Sequence, residues 1–329
     1  MKILITGANG LVGGATKKHF LENSFDVFAP SSNELNLLDR QAVFSFLRMH
    51  EFDGIIHCAA RVGGVLGNKS YPFTFISENL QMQSNILDGA LDSRVGKLIF
   101  VASSCVYSPD ARLPLSEDSL FSGKLEETNR WYATAKLAGI MQVEAANLQF
   151  GLNWLSVLPT NIYGPNDNFA LNSGHVVPSL LRKFAEAKLK NSPSVKIWGT
   201  GAPLREFIHS KDLARALFLI YKESFALAPP FVINIGSGSE VSIKELSSKI
   251  AQISRFEGDI VFDKNFPDGV MQKTLDSSLI QKIGFKTHIS LEQGLTETYA
   301  WVVENLKYLR SKDMDDVQSL IGLPDDQKE

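Results

Sequence analysis

The sequence predicts an α/β fold organised around a doubly wound parallel sheet, and three observations lead to this prediction. Short apolar runs alternate with longer amphipathic segments through the first 165 residues. A glycine-rich turn follows the first apolar run, and small or polar residues follow each later one. Strands and helices that alternate at these lengths form right-handed βαβ units, and such units build a parallel sheet.

The first strand, over residues 2–5, ends in a glycine-rich turn that leads into a helix extending to about Leu21. Gly7 permits the tight turn, Gly10 lets a pyrophosphate approach the backbone, and Gly13 lets the helix pack on the strand. The N-terminus of the helix then faces the phosphates. The turn therefore predicts a Rossmann-type dinucleotide site. Its predicted contacts are Gly7, Asn9, Gly10, Leu11, Val12 and Gly13.

The end of the second strand, over residues 26–29, indicates which dinucleotide to expect. An acidic residue there would hold the ribose 2′-hydroxyl and select NAD. This chain instead has Ser31 and Ser32, whose hydroxyls can accept a 2′-phosphate with help from backbone amides, although the loop has no arginine. The sequence therefore favours NADP(H), and we place Asn36 and Leu37 beside the adenine.

The third strand, Gly54–His57, ends in small residues against which a cofactor can lie, namely Ala59 and Ala60. A glycine-rich loop over residues 61–68 is expected to line the site. A long helix follows over residues 73–93, with its apolar side chains at helical spacing.

The fourth strand, over residues 98–102, and a helix that begins near Tyr132 carry residues suited to proton transfer. Positions four apart share one face of a helix, so Tyr132 and Lys136 point the same way. A phenol keeps its proton until pH ~10, and a neighbouring ammonium lowers that pKa. The pair suits proton exchange with an alcohol or ketone oxygen. The hydroxyl of Ser103, at the strand end, can hold the same oxygen.

The fifth strand, over residues 154–158, ends in three further predicted cofactor contacts, Pro159, Asn161 and Ile162. Carboxyl ends of parallel strands are where such sheets bind ligands.

Two domains and a tail are predicted. Residues 1–165 form the dinucleotide-binding domain, which residues 190–225 are expected to rejoin. Residues 166–310 form mainly a smaller, discontinuous C-terminal substrate-binding α/β domain. Residues 311–329 are expected to be a frayed polar tail.

The composition argues against several classes of partner. The net charge is −3 without a long run of one sign, so neither nucleic acid nor an anionic membrane is expected. No apolar run approaches the ~20 residues that span a bilayer. The two cysteines provide no disulfide framework, and the N-terminus lacks the pattern of a signal peptide, so a cytoplasmic protein is expected. The six histidines have no metal-ligand spacing, so no metal is expected.

The turn at residues 6–13, together with Ser103 and the Tyr132/Lys136 pair, resembles the extended short-chain dehydrogenase/reductases. A narrower resemblance, to the GDP-L-fucose synthases, covers nearly the whole chain. It rests on residues 62–64 with Asn68, 103–107, 159–169, 175–178, 198–201 with 205–207, and 267–269 with Lys273.

This resemblance implies a GDP sugar with a ketone at C4 and a methyl at C6, GDP-4-keto-6-deoxy-D-mannose. C3 and C5 would be epimerised through an enediolate, and NADPH-dependent reduction at C4 would give GDP-L-fucose. The acid/base pair for epimerisation falls on Cys105 and His175, and Tyr132 would protonate the new alkoxide. Positive charge beside Cys105 is expected to lower the pKa of its thiol, which is ~8.5 when free.

The resemblance also implies a homodimer, formed through the helices at 73–93 and 130–150. Some bacterial members carry arginine in the glycine turn and after the second strand, where this chain has Asn9 and Ser31-Ser32. The choice between NADP and NAD therefore stays open at this point. The implied GDP-sugar contacts are Ser104, Asn161, Lys183, Trp198, Arg205 and Lys273.

Two alternatives remain. The first is a related GDP-deoxy-hexose enzyme, such as a GDP-L-colitose synthase or a single epimerase, since Cys105 and His175 suit these reactions equally. The second is a non-catalytic NADP-binding protein, although such relatives usually lose the tyrosine or the lysine. A 4,6-dehydratase is disfavoured because residues 103–105 read Ser-Ser-Cys rather than Thr-Asp-Glu.

Overall fold

The computed structural model describes residues 1–171, 174–223, 229, 231–266 and 268–321. In chain order, its elements are β1 (Lys2–Thr6), α1 (Leu11–Glu22), β2 (Asp26–Phe28), α2 (Arg40–His50), β3 (Gly54–His57), α3 (Val65–Ser70), α4 (Pro72–Asp92), β4 (Lys97–Val101), α5 (Arg130–Phe150), β5 (Leu155–Pro159), β6 (Asn161–Tyr163), α6 (Val176–Leu189), β7 (Ser194–Trp198), β8 (Leu204–His209), α7 (Ser210–Lys222), β9 (Val232–Ile235), β10 (Glu240–Ser242), α8 (Ile243–Ser254), β11 (Asp259–Asp263), β12 (Gln272–Lys273), α9 (Ser278–Lys282) and α10 (Leu291–Ile321).

The central sheet has six strands in the order β2-β1-β3-β4-β5-β9, and every pair is parallel. This confirms the predicted doubly wound α/β fold. Neighbouring side chains of a strand point to opposite faces, so Ile3 and Leu4 enter different hydrophobic clusters. Leu4 packs on the side that includes Ile86 of α4 and Ile140 of α5. Ile3 packs on the side that includes Leu217 of α7.

Helix α5 approaches β4 closely because Gly139 has no side chain at the contact. A Cβ atom on Gly139 would lie 2.4 Å from the ring of Phe100. Lys136, one turn earlier on α5, is buried and donates a hydrogen bond from Nζ to the carbonyl oxygen of Val101 at 2.8 Å. The contact therefore fixes the candidate proton-transfer helix against the strand that carries Ser103.

The later part of the chain contributes to the layer built on the central sheet and to a smaller layer built on two further sheets. Strands β6, β8, β10 and β12 form one smaller sheet, and β7 pairs with β11 in another. Helices α6, α8 and α10 contribute to a third hydrophobic cluster beside these strands. Helix α7 packs on α1, and β9 joins the central sheet. The segments of the later chain that return to the central sheet and its helices are thus α7 and β9, whereas β7 and β8 pair with strands of the smaller sheets. The predicted division into domains stays a prediction.

Several elements differ from the sequence-based expectation. No prediction was made for strands β6, β7, β8, β10, β11 and β12 or for helix α9, and helix α3 lies in the stretch where a loop was expected. There, Nδ2 of Asn68 donates to the carbonyl oxygen of Gly63 at 3.0 Å and closes a tight turn. Helix α10 continues to Ile321, into the predicted tail, because no glycine or proline interrupts residues 306–321. The rest of that predicted tail, residues 322–329, lies outside the described residues, as does Pro267 of the quoted motifs.

Candidate active site

A cleft with a volume of about 1140 Å³ lies at the carboxyl ends of the central strands. The chain leaves β1, β3, β4 and β5 here, which is where open parallel sheets bind ligands. The cleft brings together every predicted cofactor contact: Gly7, Asn9, Gly10, Leu11, Val12, Gly13, Ser31, Ser32, Asn36, Leu37, Ala59, Ala60, Tyr132, Lys136, Pro159, Asn161 and Ile162. Their individual roles stay predictions.

The glycine turn has the backbone shape that a diphosphate requires. Gly7 has φ +69°, and a Cβ atom on Gly13 would lie 2.3 Å from the carbonyl oxygen of Gly7. A Cβ atom on Gly10 would meet only that same oxygen, at 3.4 Å, so its remaining surroundings are open. Gly10 is the N-cap of α1 and offers no side-chain cap. The first amides of α1 therefore face the cleft, and a dinucleotide fits this turn.

The loop after β2 is closed by an acidic residue that sequence reasoning did not single out. Oε2 of Glu34 accepts hydrogen bonds from the Ser31 amide at 2.7 Å and from the Ser31 hydroxyl at 2.8 Å. These bonds lower the pKa of the Glu34 carboxyl, so it is ionised at neutral pH. The spacing Ser-x-x-Glu was the available signal, because it is the pattern of a capping box.

Cys105 lies in a single 3-10 turn, Ser104–Val106, directly after the candidate hydroxyl of Ser103. The Ser103 hydroxyl oxygen accepts a hydrogen bond from the Cys105 amide at 3.3 Å. Burial raises the pKa of the Cys105 thiol, while the charges of Lys273 and Lys136 act in the opposite direction. The predicted net lowering of this pKa is wrong because desolvation outweighs the nearby cations.

Tyr132 and Lys136 lie on one face of α5, with Lys136 Nζ 5.9 Å from the centre of the Tyr132 ring. Burial lowers the pKa of Lys136 to about 8. Burial raises the pKa of Tyr132, with the Cys105 charge acting in the same direction. The predicted lowering of the Tyr132 pKa is therefore wrong for this geometry. The phenol stays protonated at neutral pH, which is the state that a proton donor requires.

His175 is the N-cap of α6, and its side chain makes no capping hydrogen bond. The side chain of His175 is accessible to solvent, yet protein atoms surround it in the cleft. This desolvation lowers the pKa of His175.

Asp167, in the loop before His175, also lines the cleft but was not proposed from the sequence. Its Oδ1 accepts the Asn168 amide at 2.7 Å, and burial raises its pKa to about 7.

The predicted GDP-sugar contacts fall into two groups. Ser104, Asn161 and Lys273 line the cleft. The cleft walls do not include the outer group, Lys183 of α6, Trp198 of β7 and Arg205 of β8.

Two members of this outer group are in contact, and the third pairs with a residue of the cleft. Trp198 stacks on Phe266 with ring centres 4.5 Å apart, and Lys183 Nζ lies 5.5 Å from the Trp198 ring. Lys273 of β12 pairs in register with Arg205 of β8. These two cations therefore connect the cleft to the outer group.

The cleft defines a class of protein: a Rossmann-type dinucleotide-dependent enzyme, in which Tyr132, Lys136, Cys105 and His175 all line the cleft. The chain belongs to the NAD dependent epimerase/dehydratase family, whose model matches residues 3–236.

Similar proteins agree with this family and with the resemblance derived from the motifs. A probable GDP-L-fucose synthase 1 of Oryza sativa subsp. japonica is 44% identical over 307 residues, 93% of each chain. The GDP-L-fucose synthase of Escherichia coli is 42% identical and covers 92% of this chain and 97% of its own. A GDP-L-colitose synthase of Yersinia pseudotuberculosis is 36% identical over 91% of this chain and 96% of its own. The resemblance to GDP-L-fucose synthases is thus confirmed.

Solved structures share the architecture over most of the chain. A GDP-6-OMe-4-keto-L-xylo-heptose reductase from C. jejuni has a TM-score of 0.86 and 31% identity, and it covers 92% of this chain and 98% of its own. A GDP-L-fucose synthetase from Naegleria fowleri bound to NADP has a TM-score of 0.83 and 29% identity, with 93% and 95% covered.

None of the helices in the described ranges is long and apolar enough to cross a membrane. In the same part of the chain, no group of three or more histidine, cysteine, aspartate or glutamate side chains could hold a metal ion.

Proposed function

We propose that this chain converts GDP-4-keto-6-deoxy-D-mannose to GDP-L-fucose by epimerisation at C3 and C5 followed by NADPH-dependent reduction at C4. The observation that carries the proposal is the shared cleft. Ser103, Cys105, Tyr132, Lys136 and His175 come from three separate segments, and all five line it. A two-part reaction on one sugar needs this juxtaposition.

The reduction half uses groups whose protonation states suit an acceptor that gains negative charge. Bound NADPH would supply hydride to C4. Tyr132 donates its proton to the C4 oxygen, and the Ser103 hydroxyl donates a hydrogen bond to it. Lys136, held by the Val101 carbonyl oxygen, places a positive charge beside this oxygen and stabilises the alkoxide as it forms.

The epimerisation half uses Cys105 and His175. The protons at C3 and C5 are acidic because both carbons flank the C4 ketone. One member of the pair removes a proton, and the other returns one to the opposite face. Thiol with imidazole contains as many protons as thiolate with imidazolium, so a single proton transfer interconverts the two states. Lys273 and Lys136 lower the cost of the thiolate beside the reacting carbons.

The nucleotide is assigned to the outer group. Trp198 offers an aromatic face, and Arg205 with Lys273 offers two cations for a diphosphate. The inner part of the cleft, at Ser104 and Asn161, then receives the sugar. The same residues suit other GDP-deoxy-hexoses, and the similarity to a GDP-L-colitose synthase makes that enzyme the second candidate.

The exposed face of α5 and the two cysteines support a proposal about assembly and location. Helices α4 and α5 pack side by side, and α5 exposes Met141 and Leu148, two turns apart on one face. We assign this face to a homodimer. Cys58 and Cys105 are both free thiols, which agrees with a reducing cytoplasm.

The direct test is consumption of NADPH by the purified protein with GDP-4-keto-6-deoxy-D-mannose, with identification of the product sugar. GDP-L-fucose supports the proposal. Faster turnover of GDP-4-keto-3,6-dideoxy-D-mannose assigns the colitose reaction instead. Cofactor binding without turnover of any keto-sugar would leave the non-catalytic alternative.

A further inference from the structure

The loop after β2 holds the donors that a ribose 2′-phosphate needs, and a carboxylate already occupies them. Ser31 and Ser32 line the cleft at the strand end where a Rossmann fold places the adenosine ribose. Oε2 of Glu34 accepts both the amide and the hydroxyl of Ser31, at 2.7 and 2.8 Å. The Glu34 amide donates in turn to the Ser31 carbonyl oxygen at 3.1 Å, so the turn is closed from both sides.

The charge at this end of the cleft does not favour a dianion. Residues 6–13 and 30–38, all described, contain no lysine, arginine or histidine. Arg40, the next cation along the chain, forms an ion pair with Asp88 at 2.6 Å. Lys17 of α1 is the cation that acts electrostatically on Glu34. The Glu34 carboxylate, bonded to Ser31 of the cleft wall, and the half-buried Lys17 are therefore the charges next to a position where a 2′-phosphate would bring about two negative charges.

We propose that Glu34 limits how strongly this protein prefers NADPH over NADH. Its carboxylate competes with the 2′-phosphate for the two donors of Ser31 and repels that phosphate directly. The ribose hydroxyl of NADH carries no charge and meets neither penalty. This inference rests on the proposed function only in the identity of the cofactor, and it concerns binding rather than turnover of the sugar.

The chain supplies a matched control for the substitution. Ser242 and Glu245 form the same Ser-x-x-Glu arrangement at the start of α8, with the amide and hydroxyl of Ser242 donating to Glu245 Oε2 at 3.0 and 2.8 Å. The walls of the cleft include Ser31, the partner of Glu34, but neither Ser242 nor Glu245. Glu245→Gln therefore removes one capping charge without changing the cofactor end.

The experiment titrates NADPH and NADH separately into the native protein, Glu34→Gln and Glu245→Gln, following the fluorescence of the reduced nicotinamide. Glutamine keeps an acceptor for Ser31 but removes the charge. We expect the ratio of the NADH dissociation constant to the NADPH dissociation constant to rise by roughly fivefold in Glu34→Gln, from the loss of one screened repulsion, and to stay unchanged in Glu245→Gln.

If the ratio of the two dissociation constants changes less than twofold in Glu34→Gln, the inference is overturned. The same holds if both affinities fall together, because the role of Glu34 is then only to close the loop. The native protein gives a second measurement that needs no variant: added salt screens the repulsion, so the same ratio should rise with ionic strength. A ratio that falls with salt contradicts the inference. If NADPH is consumed with the keto-sugar while the ratio does not respond, the inference fails and the proposed function stands.

Discussion

The cleft and the outer group beside it would hold their ligands by different means, and we refer to them as the dinucleotide end and the nucleotide-sugar end. The dinucleotide end, formed by residues 7–13, 31–32 and 36–37, consists of turns that follow the strands of one sheet. Its proposed contacts are mainly backbone amides at the start of α1. The nucleotide-sugar end, formed by Lys183, Trp198, Arg205 and Lys273, consists of long side chains from four segments of the smaller layer. The first end therefore depends on backbone shape, and the second depends on individual charges and rings.

Tyr132 lines the cleft together with the proposed cofactor contacts, and Tyr132→Phe is expected to have the largest effect. Removing the hydroxyl removes the proton donor for C4, so the rate of reduction should fall by about 10³-fold. Exchange of the C3 and C5 protons with solvent deuterium should continue, because it uses Cys105 and His175. Stopped-flow consumption of NADPH and mass spectrometry of the sugar measure the two steps separately. Loss of both steps in a folded variant would show that Tyr132 serves the whole site.

NADPH binding at the dinucleotide end should be lost when only the backbone shape of the glycine turn is changed. Gly13→Ala places a Cβ atom 2.3 Å from the Gly7 carbonyl oxygen, so the turn must open and NADPH affinity should fall by about 100-fold. Gly96→Ala is the control, since a Cβ atom there meets nothing within 4 Å. Nicotinamide fluorescence measures the binding, and circular dichroism checks the fold. Normal NADPH affinity in Gly13→Ala would mean that the turn does not bind the diphosphate.

The nucleotide-sugar end should respond to the loss of one charge. Arg205→Gln removes one of two cations assigned to the diphosphate, so the KM for the GDP sugar should rise by about tenfold while NADPH affinity stays unchanged. Lys244→Gln, at an exposed cation of α8, is the charge-matched control. Steady-state kinetics with both substrates varied gives the two constants. An unchanged KM would place the diphosphate elsewhere.

The effect that needs no substitution is the pH dependence of reduction, which is about twofold at pH 8. Lys136 has a pKa of about 8, so its positive charge is lost as the pH rises through that value. The catalytic rate of reduction should therefore be halved at about pH 8 and should fall about tenfold for each further unit. A rate that stays level between pH 7 and pH 9.5 would contradict a role for this charge.

The difference between the two ends also explains what the sequence could predict. Glycine spacing reports a backbone constraint, so the turn at Gly7, Gly10 and Gly13 and the strand ends of the central sheet were readable from local pattern. Lys183, Trp198 and Arg205 lie in segments with no local signal of a shared site. They were named only through a resemblance, and the structure places them beside the cleft rather than in its walls.

The electrostatic predictions failed for a related reason. Tyr132 and Cys105 both have lysines nearby. For Tyr132 the sequence already indicated a neighbouring positive charge, because Lys136 follows it by four residues. Burial is a property of the whole fold, and it raises the pKa of both groups. For Cys105 it outweighs the lowering by Lys273 and Lys136. The contact between Glu34 and Ser31 was missed for another reason. Its capping pattern was present in the sequence but was not connected with the cofactor.

The central claim is that one cleft performs both epimerisation and reduction. The most direct test is turnover of GDP-4-keto-6-deoxy-D-mannose with NADPH in deuterium oxide, with the deuterium at each sugar carbon measured in the product, for the native protein and for Cys105→Ser. The account predicts GDP-L-fucose with deuterium at both C3 and C5, one NADPH consumed per product, and exchange reduced by about 100-fold in Cys105→Ser. NADPH consumption by the native protein without deuterium at C3 or C5 would contradict it, since the protein would then be a reductase alone.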